Sequence, residues 1–294
     1  MSSRRSGAIR ALSHVVLSGF SILCILPLLL ILSISLSKEM DLLTDGYALI
    51  PKTPTLEAYA MVFRHPDQLL SSYGVTITVT VAGTFFSLLI TSMLAYVLSR
   101  RDYPLARKTS FFVFFPMLFS GGLVPWYILV ARTLGMRDTL FALIVPYLVI
   151  PWFVLLMKGF LSSMPASILE AARIDGASEY RIFFRLVLPL NKPGIATVAL
   201  FCALLYWNDY WLSLLFIQTT RTVSLQFLLF RIMSNIDFLT SALAIQAGVR
   251  TQVDLPQQSA RMAMCILAAG PMMFVFPFFQ KYFVKGLIVG AVKG

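Results

Sequence analysis

Ser162-Ser163-Met164-Pro165-Ala166-Ser167-Ile168-Leu169-Glu170-Ala171-Ala172-Arg173-Ile174-Asp175-Gly176-Ala177-Ser178-Glu179-Tyr180-Arg181-Ile182-Phe183-Phe184-Arg185-Leu186-Val187-Leu188-Pro189 stands between two long apolar runs. Its punctuation predicts two short helices around a bend. Pro165 suits a first helical turn, and Gly176 suits the left-handed residue that ends a helix. Ser178 then caps a second helix with Glu179 in its favourable first turn. A helix, a tight bend and a helix, carried on a polar loop, make a shape ready to dock into a cleft on another protein.

The loop takes its meaning from what flanks it. Six runs are long enough to cross a hydrocarbon core of about 30 Å, which takes roughly 20 apolar residues per helix. The spans are expected at 11–37, 73–99, 109–131, 139–157, 193–216 and 262–280, with the loop at 158–192; Asp209 is the one charge inside them. Short connections carry more Lys and Arg on the inner side of a membrane. With both termini inside, Arg4, Arg5, Arg10, Arg100, Arg101, Arg107, Lys108, Lys158, Arg173, Arg181, Arg185, Lys192, Lys281, Lys285 and Lys293 are inner, 15 of the 24 Lys and Arg residues. The outer segments hold 8 of the 13 acidic residues, so the outer face is close to neutral. Arg4 and Arg5 ahead of an apolar stretch could open a signal peptide, but such cores run about 7 to 15 residues and end at a small-residue cleavage site. This run is 27 residues with no clean Ala-x-Ala, so it reads as a span.

Composition agrees. The chain is 58% hydrophobic and 13% charged, with mean hydropathy +0.82, against roughly 25% charged residues in a soluble domain. A formal charge of +11 could suggest nucleic-acid binding, yet the basic residues form short clusters between apolar runs and no continuous stripe, so nucleic acid is not expected as a partner. Cys24, Cys202 and Cys265 each lie in an apolar run, and His14 and His65 lack metal-site spacing, so no disulfide framework, metal site or catalytic constellation is expected.

The loop resembles that of the permeases of bacterial ATP-binding-cassette importers. Their signature is Glu-Ala-Ala, three residues, Gly, nine residues, then Ile or Leu, any residue, Leu-Pro. Here it is Glu170-Ala171-Ala172, Gly176, Leu186, Leu188 and Pro189, with every interval kept and Asp175-Gly176-Ala177-Ser178 fitting as well. Gly46, Tyr47, Pro51, Thr55 and Tyr59, then Gly121-Gly122-Leu123-Val124-Pro125, then the ending from Gln280-Lys281-Tyr282 to Gly294 look like the carbohydrate-uptake branch. Within it the chain is similar to the maltose-type second permease and to the lipoprotein-associated polysaccharide permease group, over nearly its whole length.

The resemblance implies an all-α integral membrane fold of six transmembrane helices with a cytoplasmic coupling helix, forming one permease domain over 1–294. It implies a bacterial cytoplasmic-membrane location, a second permease subunit as heterodimer partner, two ATPase subunits and a solute-binding protein. No Gly-x-x-x-x-Gly-Lys-[Ser/Thr] occurs, so the chain is expected to be non-catalytic and cofactor-free, with ATP and Mg on the partner subunits. Glu170, Ala171, Ala172, Asp175, Gly176, Leu188 and Pro189 would form the ATPase-coupling element, the alanines permitting close approach; Glu170 would pair with the ATPase or cap its own loop. The tail from Lys281 resembles tails that reach between the ATPase subunits. Gly286, Gly290 and Gly294, four residues apart, fit close approach there better than helix packing inside a span.

Asp209 is costly in a membrane and so is a functional candidate. It lies in Trp207-Asn208-Asp209-Tyr210, a cluster suited to sugar faces and hydroxyls on a translocation path, or else an interfacial aromatic belt or structural polar network near the end of a span. Pro116, Pro125, Pro146 and Pro151 are expected to kink two adjacent spans. An importer permease of the same fold for amino acids or peptides remains an alternative. An ion-coupled secondary transporter is a further one, though it would usually carry several intramembrane ionisable residues and a repeat.

Overall fold

The computed structural model describes the backbone of residues 2–64, 66–100, 102–239 and 256–291, and the side chains of 12–64, 66–100, 102–237 and 256–280. The tail glycines' proposed contacts, His65, and the inner basic residues Arg4, Arg5, Arg10, Arg101, Lys281, Lys285 and Lys293 fall outside the described side chains. The described chain is helical, with one isolated antiparallel bridge between Ser37 and Pro54. Three helices are long and apolar enough to cross a membrane alone: Leu12–Ser35 within α1 (Ser2–Ser35), α4 (Pro66–Ser99), and the first part of the final helix Gln257–Ala291. Two short helices, α2 (Glu39–Asp45) and α3 (Glu57–Val62), follow α1.

The chain divides into two compact units. The first combines Met1–Pro66 with Arg231–Gly270. In it, the segment after α1 folds back on that helix: Ser33 donates to the Ala48 carbonyl at 2.7 Å, Thr55 N–H to the Leu36 carbonyl at 2.8 Å, and the Ser35 and Tyr59 hydroxyls lie 2.9 Å apart. The Glu39 carboxylate accepts from the backbone N–H of Gln258 at 2.8 Å and of Ser259 at 3.1 Å, so a distant side chain caps the orphan donors of the last helix. The motif residues Gly46 to Tyr59 thus serve this fold-back, with Gly46 at φ 79° closing α2.

The second unit combines Asp67–Phe230 with Pro271–Gly294. Here three expected spans are interrupted. Over 109–131, α5 (Ala106–Phe114) tightens into one turn around Pro116, the chain leaves helical geometry before Gly122 at φ 86°, and α6 (Leu123–Ile128) restarts and runs on to Thr133. Over 139–157, α7 (Leu140–Ile144) ends in a turn through Pro146, and α8 (Pro151–Ser162) begins at Pro151 with a 50° bend. Proline lacks the N–H that a helix ladder needs, so each break frees a carbonyl. At the second break neighbouring helices supply donors: Tyr206 donates to the Ile144 carbonyl at 2.9 Å and Ser87 to the Tyr147 carbonyl at 3.4 Å. Over 193–216, α12 (Lys192–Trp207) stops at Asn208, and α13 (Trp211–Phe216) follows a non-helical step.

The unit's inner core joins elements that are remote in sequence. Ala95, Tyr96 and Leu98 of α4, Val113 of α5, Phe153, Val154 and Met157 of α8, and Val198 and Cys202 of α12 pack around Ala172, Ile182, Phe183 and Val187 of the polar loop. The loop is therefore seated in the core by its own apolar residues.

Candidate functional site

The loop folds as two helices around a closed turn. Pro165, extended at φ −61° and ψ 126°, stands just ahead of α9 (Ala166–Ile174), one place earlier than a first-turn proline. Gly176 takes φ 72°. Its N–H donates to the Arg173 carbonyl at 2.9 Å and the Ala177 N–H to the Ala172 carbonyl at 3.0 Å, the paired bonds of a helix ended by a left-handed residue. Ser178 then accepts from Arg181 N–H at 3.4 Å and starts α10 (Glu179–Ile182). That helix continues through a wider turn over Phe183–Val187 into α11 (Leu188–Leu190), which Pro189 opens. At Asn191 the chain turns 84° into α12. The Asn191 side chain is buried and donates to Met157 Sδ at 3.3 Å, and a Cβ at Gly194 would lie 2.7 Å from its Oδ1.

Of the expected coupling residues, Glu170, Ala171, Asp175, Gly176 and Pro189 are exposed and Leu188 is half-buried. Ala172 differs from the expectation. It is 8% exposed and packs against its own chain, because successive residues on a helix point about 100° apart and Ala171 takes the outward direction. Glu170 makes no side-chain hydrogen bond or ion pair among the described residues, which leaves its charge to solvent or a partner. One turn on from it Ile174 is 86% exposed, and Tyr180 of α10 is 73% exposed.

Behind this surface lies a closed ring of four charges. Arg100, just past α4, grips Asp102 with two bonds, Nε–Oδ1 at 2.9 Å and Nη2–Oδ2 at 2.5 Å, and its Nη1 also pairs with Glu179. Arg173, in the last turn of α9, pairs with Asp102 at 3.2 Å and with Glu179 at 3.3 Å. Tyr96 donates to Glu179 at 2.9 Å, and Arg100 lies 5.8 Å over the Tyr96 ring. The bonds from Arg100 hold the Asp102 carboxyl down at about 2 against the opposing effect of burial, with the Arg100 and Arg173 charges adding to the lowering. Burial alone would raise the Glu179 carboxyl, but the hydrogen bonds from Arg100 and Tyr96 and the charges of Arg100 and Arg173 outweigh it and leave it below the ordinary range.

The second candidate, Trp207 to Tyr210, is the non-helical step between α12 and α13. Asp209 Oδ1 accepts from Tyr147 at 2.9 Å, and Oδ2 accepts from Leu212 N–H at 3.0 Å, capping α13. Its carbonyl accepts from Ser224 at 3.2 Å. The carboxylate is thus engaged by its own chain. Trp207 is buried at 5% exposure, Asn208 donates to the Leu204 carbonyl at 2.8 Å, and Tyr210 stacks on Phe230 with centroids 5.3 Å apart. On the other side of the step, Trp211 joins Trp126, Pro125 and Ser120 to Leu123 around an open recess of about 630 Å³, which brings Gly121 and Gly122 to an accessible surface.

Residues 83–289 match the family described as the binding-protein-dependent transport system inner membrane component. The chain belongs to that family. It is 39% identical to Protein LplC of Bacillus subtilis over 95% of this chain and 92% of the relative, and 36% identical to the polygalacturonan/rhamnogalacturonan transport system permease protein YtcP of the same organism over 94% of each. A chain from the crystal structure of a bacterial ABC transporter involved in the import of the acidic polysaccharide alginate aligns with a TM-score of 0.77 at 30% identity, covering 95% of this chain and 98% of that one.

Several residues that organise this inner membrane component carry no sequence signal. Arg100 reads as part of a topological charge cluster and Glu179 as a first-turn acid, while Asp102 draws no reading; nothing in their spacing announces the ring. Asp138 is likewise silent, although its carboxylate accepts from the N–H groups of Gln218 at 2.5 Å and Thr219 at 3.0 Å, bonds that lower it below the usual carboxylate range.

Proposed function

We propose that this chain is the permease subunit of a saccharide importer, forming half of a translocation pathway with a second permease and driven by two ATPase subunits that hold ATP and Mg. A solute-binding protein delivers oligosaccharides or polysaccharide fragments from outside, and both termini lie in the cytoplasm of a bacterial cell. The observation that carries this reading is the coupling element: α9 and α10 expose Glu170, Ala171, Asp175 and Gly176 while Ala172, Ile182 and Phe183 anchor the same loop in the core. A docking surface so anchored can pass an ATPase movement into α4, α8 and α12. Near full-length similarity to the polygalacturonan/rhamnogalacturonan permease and to the alginate importer chain supports saccharides over amino acids or peptides.

Uptake into proteoliposomes holding the complete importer tests it. Labelled oligogalacturonides, alginate oligomers, arabino-oligosaccharides, an amino acid and a dipeptide are offered with ATP inside. At least one saccharide is expected to accumulate in an ATP- and binding-protein-dependent way. Accumulation of the amino acid or dipeptide instead, or uptake that persists without the ATPase subunits, would overturn the proposal.

A further inference from the structure

We propose that the ring of Arg100, Asp102, Arg173 and Glu179 is the transmission link of the subunit, tying the coupling element to the cytoplasmic end of α4 so that the two move as one body. The inference rests on the coupling role proposed above and concerns how motion leaves the docking surface.

Apolar packing anchors the two halves of the coupling element unequally. α10 and the turn after it bury Ile182, Phe183 and Val187, whereas α9 buries Ala172 alone. Between the halves stands Gly176, a residue with no side chain to stiffen it. A push received on α9 would be absorbed at that bend unless α9 were tied elsewhere.

The ring supplies the tie. Arg173 lies three residues before Gly176 and Glu179 three residues after it, so the pair spans the bend. Each then reaches across to the end of α4 and the residues just past it: Arg173 to Asp102, Glu179 to Arg100 and to Tyr96 in the last turn of α4. Each arginine touches both carboxylates and each carboxylate both arginines, so the charges alternate with no like pair adjacent, and the ring is neutral as a whole. Isolated exposed ion pairs hold little, but a cooperative network with a bidentate guanidinium–carboxylate contact is the arrangement in which such pairs add rigidity. Arg100 is also shielded, its side chain 19% exposed beside Tyr96. The ring leaves Glu170, Ala171 and Gly176 untouched, so docking and transmission are assigned to different residues.

The test uses the full importer in proteoliposomes carrying Arg173→Met, Glu179→Gln or Arg173→Lys in this chain. Three quantities are read: co-purification of the ATPase subunits, ATP hydrolysis, and substrate accumulated per ATP hydrolysed. Arg173→Met and Glu179→Gln are expected to keep assembly and hydrolysis within about twofold of the unmodified complex. Transport per ATP is expected to fall at least fivefold, with Arg173→Lys regaining most of it because the charge returns. Unchanged transport per ATP in Arg173→Met and Glu179→Gln would overturn the proposal. Loss of ATPase assembly in either would overturn it too, since the ring would then serve docking or folding. Should the unmodified chain itself fail to assemble with ATPase subunits, the coupling role falls, which is a different result from the variants coupling normally.

Discussion

Gly176 shows how one residue can be required without being crowded. A Cβ built there meets nothing within 4 Å, so a side chain has room, yet the backbone sits at φ 72°. The left-handed region costs an L residue about 1–2 kcal/mol and a β-branched one more, while Asn visits it comparatively freely. Gly176→Val is therefore expected to insert in the membrane but lose ATP-dependent uptake, as the bend between α9 and α10 shifts. Gly176→Asn is expected to retain most uptake. Equal transport by both variants, measured in the same vesicles at matched protein level, would show that the bend is not what the docking surface needs. The neighbouring alanines make a related point. Ala171 and Ala172 look alike in the sequence, but one faces out and the other is closed off in the core, so their small size serves two surfaces.

Among the elements, α4 and α12 meet at a glycine. A Cβ at Gly83 would lie 2.5 Å from Tyr206 Cζ, and that ring cannot swing away freely because its hydroxyl holds the Ile144 carbonyl freed by the α7–α8 break. Gly83→Ala is expected to destabilise the subunit by about 1–3 kcal/mol through overpacking, read as a lowered midpoint of thermal unfolding in detergent. A midpoint equal to that of the unmodified chain would mean that the helices part without cost. This contact explains why the fold was only partly legible in the sequence. The helices at Leu12–Ser35, Pro66–Ser99 and Gln257–Gln280 were readable because an uninterrupted apolar run needs no partner to satisfy its backbone. The runs at 109–131, 139–157 and 193–216 were readable as apolar but not as broken. Where a break falls depends on which neighbour can supply a donor, here Ser87 and Tyr206, more than 50 residues away. The coupling loop was legible because its turn chemistry is local: Gly176 and Ser178 act on residues within four positions. The charge ring was not, since Arg100 and Glu179 lie 79 residues apart and ion pairing has no spacing rule at that range.

For the whole molecule, orientation and docking meet at one residue. The positive-inside count predicts a cytoplasmic side for residues 158–192, and the side chain of Ile174, 86% exposed at the end of α9, stands on the surface proposed to meet the ATPase. A cysteine there reports on both assignments. The background needs Cys24 and Cys265, which are exposed on the chain, and the buried Cys202 replaced by serine or alanine. In that background, Ile174→Cys is expected to react with a membrane-impermeant maleimide in inside-out vesicles stripped of the ATPase, and to stay unreacted in right-side-out cells. Leu49→Cys, 53% exposed in the segment after α2, should show the opposite pattern, since a single span, α1, lies between it and an N-terminus expected inside. Adding the ATPase subunits back should slow labelling at Ile174→Cys several-fold and leave Leu49→Cys unchanged. Labelling of Ile174→Cys from outside would invert the topology. Labelling from inside that the ATPase does not slow would keep the topology and move the docking surface elsewhere, because a side chain this far from the core can be covered only by what binds α9.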